Sequence, residues 1–380
     1  MGSIRFDEVE QWLFEAAWPF WARAGVDRAD GGFVEFLTLE GRDGGAPFKR
    51  TRAQARQIYC FSQAALMGFA PGAEIADHGW RFLMQNGRRE DGAWVRQMGR
   101  SGGVLDPTCD LYDMSFVLYA HAWRYRATQD PAVIDSALAT VEATNRFLRH
   151  PTQPGWLAEE GDAGPRQQNP HMHLLEAAVE LASATGHPLF ADLAREVAEL
   201  FARRFYDPKA GVLREFFADD WSPLPGPTGD IVEPGHLMEW AWLLYRAQDL
   251  LGLKLGPQAE AMVDFTLAHG RAPATGLVYD QVDSAGAVLK ADHRSWPQTE
   301  TIKGLLARFE HGGGDTRAEI AVSVDNLLGR FLAPAPRGTW IDHFDADGRP
   351  LVDKIPSTTL YHLQLAFTEL LRLRPRLEAL

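Results

Sequence analysis

Polar and aromatic side chains recur along this chain at intervals that a repeating helical structure would bring together. They form six groups, and successive groups stand 56 to 64 residues apart. Where a group has two members, these lie three or four residues apart, which places both on one face of a helix. The groups are Arg56; Tyr112; Asn169 with His173; His236 with Glu239; Trp296 with Glu300; and His362.

These residue types are suited to proton transfer on a small polar molecule. An imidazole with an unperturbed pKa of about 6.5 acts as both base and acid near neutral pH. A guanidinium is permanently cationic and stabilises negative charge as it develops. One such position per repeat, always in the same phase, predicts a pocket at one end of a common axis, ringed by histidine, arginine, glutamate and aromatic groups.

The elements that would position these groups repeat with the same period of about sixty residues. Short extended pieces led by glycine, with alternating apolar and polar residues, predict a strand or hairpin once per repeat. Between them the apolar residues follow helical spacing, as in Leu189, Phe190, Leu193, Val197, Leu200 and Phe201. The glycines that lead the extended pieces are Gly32, Gly92, Gly155, Gly211, Gly276 and Gly338.

Two kinds of helix alternate along the chain, which predicts two concentric rings. Residues 131–148, 188–205 and 320–331 have one apolar stripe, whereas residues 109–123, 236–251 and 359–373 are apolar nearly all round. Helices without a polar face are buried on every side. We therefore predict an all-α fold, an (α/α)6 barrel with short β-hairpins in the loops at one end, as a single domain over residues 1–380. An open solenoid with polar terminal caps is the alternative.

Composition excludes several classes of protein. The chain has 380 residues, with 38 Lys and Arg against 51 Asp and Glu, a net charge of −13 that argues against nucleic-acid or anionic-membrane partners. Two cysteines, Cys60 and Cys109, cannot form a disulfide framework. The first residues lack the pattern of a signal peptide, and no apolar run reaches about 18 residues. These features predict a soluble cytoplasmic protein.

Neither a metal nor a nucleotide cofactor is predicted. Three histidines and Glu300 would be formally sufficient ligands, but the local spacings of common metal sites are absent, as are phosphate-binding and dinucleotide-binding glycine motifs. His171 is expected to shape a turn. Four further histidines are expected in the core or on the surface, namely His121, His150, His187 and His269.

The ordered set of motifs resembles the N-acylglucosamine 2-epimerase family over nearly the whole chain. The carrying segments are ARQIYCFS with Arg56, DLYDMSF with Tyr112, NPHMH with Asn169 and His173, EPGHLMEW with His236 and Glu239, RSWPQTE with Trp296 and Glu300, and STTLYHL with His362. The resemblance implies an (α/α)6 barrel and catalysis without metal or redox cofactor. The compact first and fifth motifs are more similar to the family's bacterial mannose isomerase branch.

The resemblance implies chemistry at C2 of an unmodified sugar through ring opening and a cis-enediol. We expect catalytic roles for His236, His362, Arg56 and Glu239, with His236 as the C1/C2 proton shuttle and His362 as ring opener or second base, two roles that could be exchanged. Glu239 and Glu300 would orient His236 and the sugar hydroxyls. Substrate contacts are expected from Tyr112, Asn169, His173, Trp296 and Glu300.

Several functional alternatives stay open on the sequence. Aldose–ketose isomerisation of the mannose-to-fructose type is preferred, and 2-epimerisation shares the same enediol. An inverting glycosidase using Glu239 and Glu300, or a non-catalytic carbohydrate-binding protein, is a further alternative. The expected partner is a monosaccharide, and the expected state is a monomer or homodimer. A charged sugar would need an added cation, which Arg52, Arg166, Arg214, Arg294 and Lys303 leave open.

Overall fold

The computed structural model describes residues 3–379, and this part of the chain folds into twelve helices. The even-numbered helices form an inner ring and the odd-numbered helices an outer ring. Their bounds are α1 (6–24, in three consecutive segments), α2 (Thr51–Leu66), α3 (Gly72–Asn86), α4 (Leu111–Thr128), α5 (Pro131–Leu148), α6 (Asn169–Thr185), α7 (Pro188–Leu200, continued by Phe201–Phe205), α8 (Pro234–Leu251), α9 (Gly256–His269), α10 (Ser295–Glu310), α11 (Arg317–Asn326, continued by Leu327–Leu332) and α12 (Leu360–Glu378).

Burial separates the two rings as the sequence pattern predicts. In α6 every residue from Pro170 to Ala182 is buried, and in α8 the same holds from Pro234 to Tyr245. The outer helices bury one face only. Leu189 was predicted to lie on the buried face of α7, but it lies in the first turn of this helix, beyond the contact with the inner ring, and is 38% exposed. The predicted (α/α)6 barrel is otherwise confirmed.

The inner ring closes through a buried glutamine on the last helix. Gln364 of α12 donates from Nε2 to the Cys60 carbonyl at 2.9 Å and to Gln63 Oε1 at 2.8 Å, both on α2. Its Oε1 accepts a hydrogen bond from Trp18 Nε1 of the first outer helix at 2.9 Å. The first and last repeats are therefore in contact, and the open solenoid is excluded.

Short strands connect the loops that lead into the inner helices. They are β1 (Phe36–Leu37), β2 (Phe48–Arg50), β3 (Gln97–Gly99), β4 (Val104–Asp106), β5 (Arg166–Gln167), β6 (Tyr206–Asp207), β7 (Val212–Leu213), β8 (Phe216–Phe217), β9 (Ile231–Val232), β10 (Gln281–Asp283), β11 (Val288–Lys290), β12 (His293–Arg294), β13 (His343–Phe344) and β14 (Ile355–Pro356).

The antiparallel pairs β2–β3, β5–β8, β9–β10, β12–β13 and β14–β1 each join the loops of neighbouring repeats. An isolated bridge between Asp110 and Glu159 joins the remaining two loops. The loops thus form a closed belt around the N-terminal ends of the inner helices, where the helix dipoles are positive.

The glycine-led pieces are smaller than the predicted hairpins. Four form single bridges with the segment after the preceding outer helix, for example Val26 with Phe33, and a fifth forms the two-residue pair β6–β7. All six leading glycines have positive φ, between 67° and 92°, which explains why glycine recurs at this position. The residues that follow each of these glycines lead the chain from the outer helix into the belt.

No helix within residues 3–379 has the length and apolar character needed to cross a membrane.

Replacing Gln364 by alanine tests the closure of the ring. The substitution leaves the Trp18 indole N–H without its acceptor and creates a cavity, so we expect the free energy of unfolding to fall by about 2–4 kcal/mol. Chemical denaturation measures this loss. The exposed Gln11→Ala on α1 is the control and should change stability by about 0.5 kcal/mol or less. An equal effect of the two substitutions would contradict the assigned role of Gln364.

Candidate active site

A cavity of about 450 Å³ opens inside the belt, at the N-terminal ends of the inner helices. This volume lies in the range of small-molecule sites, roughly 300–1,000 Å³. Of the nine residues singled out in the sequence, eight line the cavity: Arg56, Tyr112, Asn169, His173, His236, Glu239, Trp296 and His362. Glu300 lies one layer deeper and is fully buried.

His362 is held by a buried carboxylate that the cavity does not expose. Its Nδ1 lies 2.8 Å from Glu300 Oε1, and Lys303 Nζ lies 2.5 Å from Glu300 Oε2. Burial lowers the pKa of His362 well below its usual value, and the nearby charges of Arg56 and Lys303 act in the same direction. At neutral pH the ring is therefore uncharged. With the Nδ1 proton donated to Glu300, the Nε2 lone pair is free to accept a proton.

His236 is positively charged, in contrast to His362, because acidic groups surround it. Its Nδ1 lies 3.0 Å from Glu215 Oε1 and 3.6 Å from Glu233 Oε2. Burial alone would lower the pKa of His236, but the charge and hydrogen bond of Glu215, with the charges of Glu233 and Glu239, raise it to about 9. At neutral pH this imidazole carries a proton on both nitrogens and is an acid.

The expected partner of His236 was therefore wrong. Glu239, three residues later on α8, shares the cavity wall with His236, but the carboxylate that bonds the imidazole is Glu215. Glu300 likewise orients His362 rather than His236 or a substrate hydroxyl. Since Glu300 does not line the cavity, Glu239 and Glu300 also cannot flank a glycosidic bond as an acid and base pair.

A second periodic signal, absent from the expected site residues, lies in the belt. Five of the six glycine-led pieces carry an acidic residue directly before the chain enters the belt. One of these acids, Glu159, pairs with Arg96, and the other four make the contacts that follow. Glu35 bonds the Arg50 guanidinium, Glu215 bonds His236, and Asp280 accepts from Arg294 Nε at 2.9 Å. The fourth, Asp342, accepts from the hydroxyls of Ser295 at 2.8 Å and Thr359 at 2.9 Å. The phase of these acids within the repeat could have revealed them.

Arg56 is a buried cation without a carboxylate partner among residues 3–379. Its Nη2 donates to Tyr112 Oη at 2.6 Å and its Nη1 to the Thr358 carbonyl at 3.4 Å. The guanidinium stacks over the Phe116 ring at 4.0 Å from the ring centroid. A cation held by neutral groups keeps its charge available for negative charge that develops on a ligand.

Unused hydrogen-bonding capacity converges on the cavity. Glu239 is buried, yet neither of its carboxylate oxygens has a hydrogen-bond partner in the described part of the chain, and the same is true of Asn169 Oδ1. Burial and the charge of Glu300 raise the pKa of Glu239 to about 7. Buried polar atoms are rarely left unpaired. The pattern fits a ligand that carries several hydroxyl groups.

Aromatic rings border the same space. The Trp296 ring centroid lies 4.8 Å from that of His236 and 5.9 Å from that of His362, so the indole stands beside both imidazoles. His173 packs edge-on against Tyr112 with centroids 4.9 Å apart, and its Nδ1 lies 3.1 Å from Glu176 Oε2.

The donor groups do not suit a metal ion. Donor atoms of His173, Glu176 and Glu239, and those of Glu239, Glu300 and His362, lie within 4.8 Å of one another. The Lys303 ammonium already pairs with Glu300 and lies 3.8 Å from Glu239 Oε1, so a further cation would meet a like charge. Asp280, Asp292 and His343 form a third group, where Lys290 and Arg294 neutralise Asp280.

The remaining histidines lie outside the cavity wall. His121 is buried and bonded to Ser136, His150 is buried beside Asp219, His187 caps α7 and His269 is exposed. His171 differs from its expected role in a turn: it lies within α6, where its Nε2 accepts from the Trp156 backbone N–H at 3.1 Å and ties the helix to the preceding loop.

Glu215→Gln tests the electrostatic account of His236. Without this negative charge the burial of the imidazole dominates, so we expect the pKa of His236 to fall from about 9 by about one unit or more. NMR titration of the His236 ring measures the change, with Glu142→Gln on the exposed face of α5 as the control. An unchanged His236 pKa in Glu215→Gln would show that Glu215 does not set the charge of the ring.

Comparison with known proteins places this geometry in a family. A sequence model described as N-acylglucosamine 2-epimerase (GlcNAc 2-epimerase) matches residues 31–366. The chain is 32% identical to a mannose-6-phosphate isomerase of Rhizobium meliloti (strain 1021), with 97% of each chain covered. It is 29% identical to a D-mannose isomerase of Thermobifida fusca, over 91% of this chain and 97% of the relative.

The same fold occurs in a solved structure of cellobiose 2-epimerase from Bacillus thermoamylovorans B4167. The two superpose with a TM-score of 0.88 over 97% of this chain and 98% of the other, at 20% identity. The expected family is thereby confirmed. The chain belongs to the N-acylglucosamine 2-epimerase family and is an enzyme of the isomerase or 2-epimerase type.

Proposed function

We propose that this protein is a cofactor-independent aldose–ketose isomerase that converts an uncharged mannose-type sugar to its ketose through a cis-enediol. The observation that carries the proposal is the pairing, in one cavity, of a neutral imidazole with a charged one. His362 is available as a base and His236 as an acid at the same pH, and Trp296 stands beside both rings.

These charges favour an exchange of the two roles expected from the sequence. The protonated His236 donates a proton to the ring oxygen, the C1–O5 bond breaks, and the imidazole takes up the O1 hydroxyl proton as the C1=O1 carbonyl forms. His362 Nε2 then removes the C2 proton, and the electron pair moves to form the C1–C2 double bond while negative charge develops on O1. The O2 hydroxyl proton then moves to O1, and return of the C2-derived proton from His362 to C1, as the C2=O2 carbonyl forms, gives the ketose.

The negative charge on O1 needs a preorganised partner. Arg56 is buried, lines the cavity and has no carboxylate among the described residues to neutralise it. In such a site a fixed cation stabilises an oxyanion far more than it would in water. The carboxyl of Glu239 and the amide of Asn169 supply further hydrogen bonds to sugar hydroxyls. Tyr112, His173 and Trp296 shape the binding surface, while Glu300 acts through His362.

An uncharged sugar is preferred because the candidate cations for a charged one are already paired. Each lies within 3 Å of a carboxylate oxygen, so a phosphate would have to compete with an existing ion pair. The pairs are Arg52 with Asp113, Arg166 with Asp219, Arg214 with Asp207, Arg294 with Asp280, and Lys303 with Glu300. The name of the Rhizobium meliloti relative makes mannose 6-phosphate the substrate to compare.

A sugar 2-epimerase is the second candidate. His236 reaches the same cavity as His362, and reprotonation of the enediol on the opposite face of C2 needs a second group of this kind. The family description also supports this reading. Isomerase is placed first because the two relatives described above are both named as isomerases.

The proposal includes the wider expectations from the sequence. We propose one catalytic domain over residues 1–380, a monosaccharide as partner, a monomer or homodimer, and a cytoplasmic location. The closed ring supports the single domain. The free, buried thiols of Cys60 and Cys109 fit a reducing compartment.

Incubation with mannose in D₂O tests the proposed reaction. After treatment with a chelator, NMR should show fructose as the first product, with partial transfer of the C2 hydrogen to C1. His362→Ala and His236→Ala should each reduce turnover by about 100-fold or more while the helical circular dichroism signal is retained. The exposed His269→Ala is the control. Glucose as the first product would favour the epimerase, and near-normal turnover of either cavity variant would refute its assigned role.

Mannose 6-phosphate tests the preference for an uncharged sugar. Because a phosphate would have to break an existing ion pair, we expect kcat/KM for mannose to exceed that for mannose 6-phosphate by about 10-fold or more. Steady-state assays of both sugars under the same conditions measure the ratio. A higher kcat/KM for the phosphorylated sugar would contradict the argument from paired cations.

A further inference from the structure

Lys303 is a fully buried lysine on an inner helix, and the mechanism described above does not use it. It lies on α10, one turn after Glu300, and its ammonium is fixed on two sides. On one side Nζ lies 2.5 Å from Glu300 Oε2, and on the other it lies 4.2 Å from the centroid of the Trp242 ring. Burying a lysine is costly unless its charge is paired, so this arrangement calls for a reason.

The ammonium is surrounded by groups from five of the inner helices. Carboxyl groups approach from three helices, and three further cationic or titratable groups stand near the cluster that these carboxyls form with Lys303. From α6 these are His173 and Glu176, from α8 Glu239, from α10 Glu300, from α12 His362, and from α2 Arg56. Lys303 is the group that Glu300 contacts on the side opposite His362.

The charge on Glu300 decides which nitrogen of His362 carries the proton. An ionised Glu300 can only accept, so the neutral imidazole donates its Nδ1 proton to Oε1 and keeps the Nε2 lone pair free. A protonated Glu300 can donate to Nδ1, and the imidazole would then carry its proton on Nε2, where it could not act as a base. Burial raises the pKa of Glu300 to about 7, and the Lys303 charge opposes this rise.

We propose that Lys303 is a positioning residue that keeps Glu300 ionised and thereby holds His362 in the tautomer whose Nε2 can accept the C2 proton. Lys303 does not line the cavity and acts through Glu300 and His362. This inference rests on the proposed function only for its consequence in turnover. The tautomer of His362 is a property of the free protein and can be tested separately.

Lys303→Met removes the charge and keeps a long apolar side chain. We expect kcat to fall by about 100-fold or more, with KM changed less than threefold, because the base is lost and the cavity wall is intact. We also expect the acidic limb of the kcat/KM profile to move to higher pH by about one unit or more, since Glu300 then ionises later. Lys303→Arg keeps the charge and should restore most of the activity. A purely structural role would lower the amount of folded protein without moving the limb.

The ¹⁵N chemical shifts of His362, assigned with a His362→Gln variant, test the tautomer without any substrate. At pH 7.5 the wild-type ring should be protonated on Nδ1 and the Lys303→Met ring on Nε2. An Nε2-protonated ring in the wild type would overturn the proposal, even if Lys303→Met fails to fold. The proposal would also be overturned if the acidic limb of the kcat/KM profile did not move in Lys303→Met, or if His362 in the folded variant kept its proton on Nδ1. Absence of isomerisation with the expected tautomers would instead count against the proposed function alone.

Discussion

The closure of six helices into a ring is the constraint on which the rest of this structure depends. A helix inside the ring is covered on every side, so its side chains lose contact with water along most of their length. Burying an ionisable group costs several kcal/mol unless it is paired, and the inner helices carry such groups near their N-terminal ends. Those ends meet inside the strand belt, where carboxylates, cations and one open cavity lie together. The site therefore lies at the N-terminal ends of the inner helices, because this is where the closed ring can accommodate polar groups.

The same burial leaves two chemically identical side chains in different charge states, His362 neutral and His236 positively charged. Desolvation lowers the pKa of both His236 and His362. For His236 the acidic residues of the belt outweigh that effect, whereas for His362 the neighbouring cations add to it. Pairs of titratable groups whose surroundings move their pKa values apart are typical of acid and base assignments in enzymes. This physical difference, rather than the residue types, distinguishes the two histidines.

The period of the sequence was enough to predict the fold and most of the cavity wall. Alternation of half-exposed and fully buried helices predicted two rings. Arg56 and His362 occupy the same position within their repeats, which predicted that they share one pocket although 306 positions separate them in the sequence. The position of a residue within its repeat does not determine which side chain of another repeat or loop it contacts. For this reason the partner of His236 was assigned to Glu239 on its own helix rather than to Glu215 in the belt. Lys303 was seen only as a candidate cation, because its burial and its contact with Glu300 depend on packing between repeats.

Neutron diffraction from crystals of the free protein grown at neutral pH, after exchange into D₂O, tests the central claim most directly. The account predicts deuterium on both ring nitrogens of His236 and on Nδ1 alone of His362. A His236 ring with a single deuterium, or a His362 ring with deuterium on Nε2, would contradict the assignment of acid and base on which the proposed reaction rests.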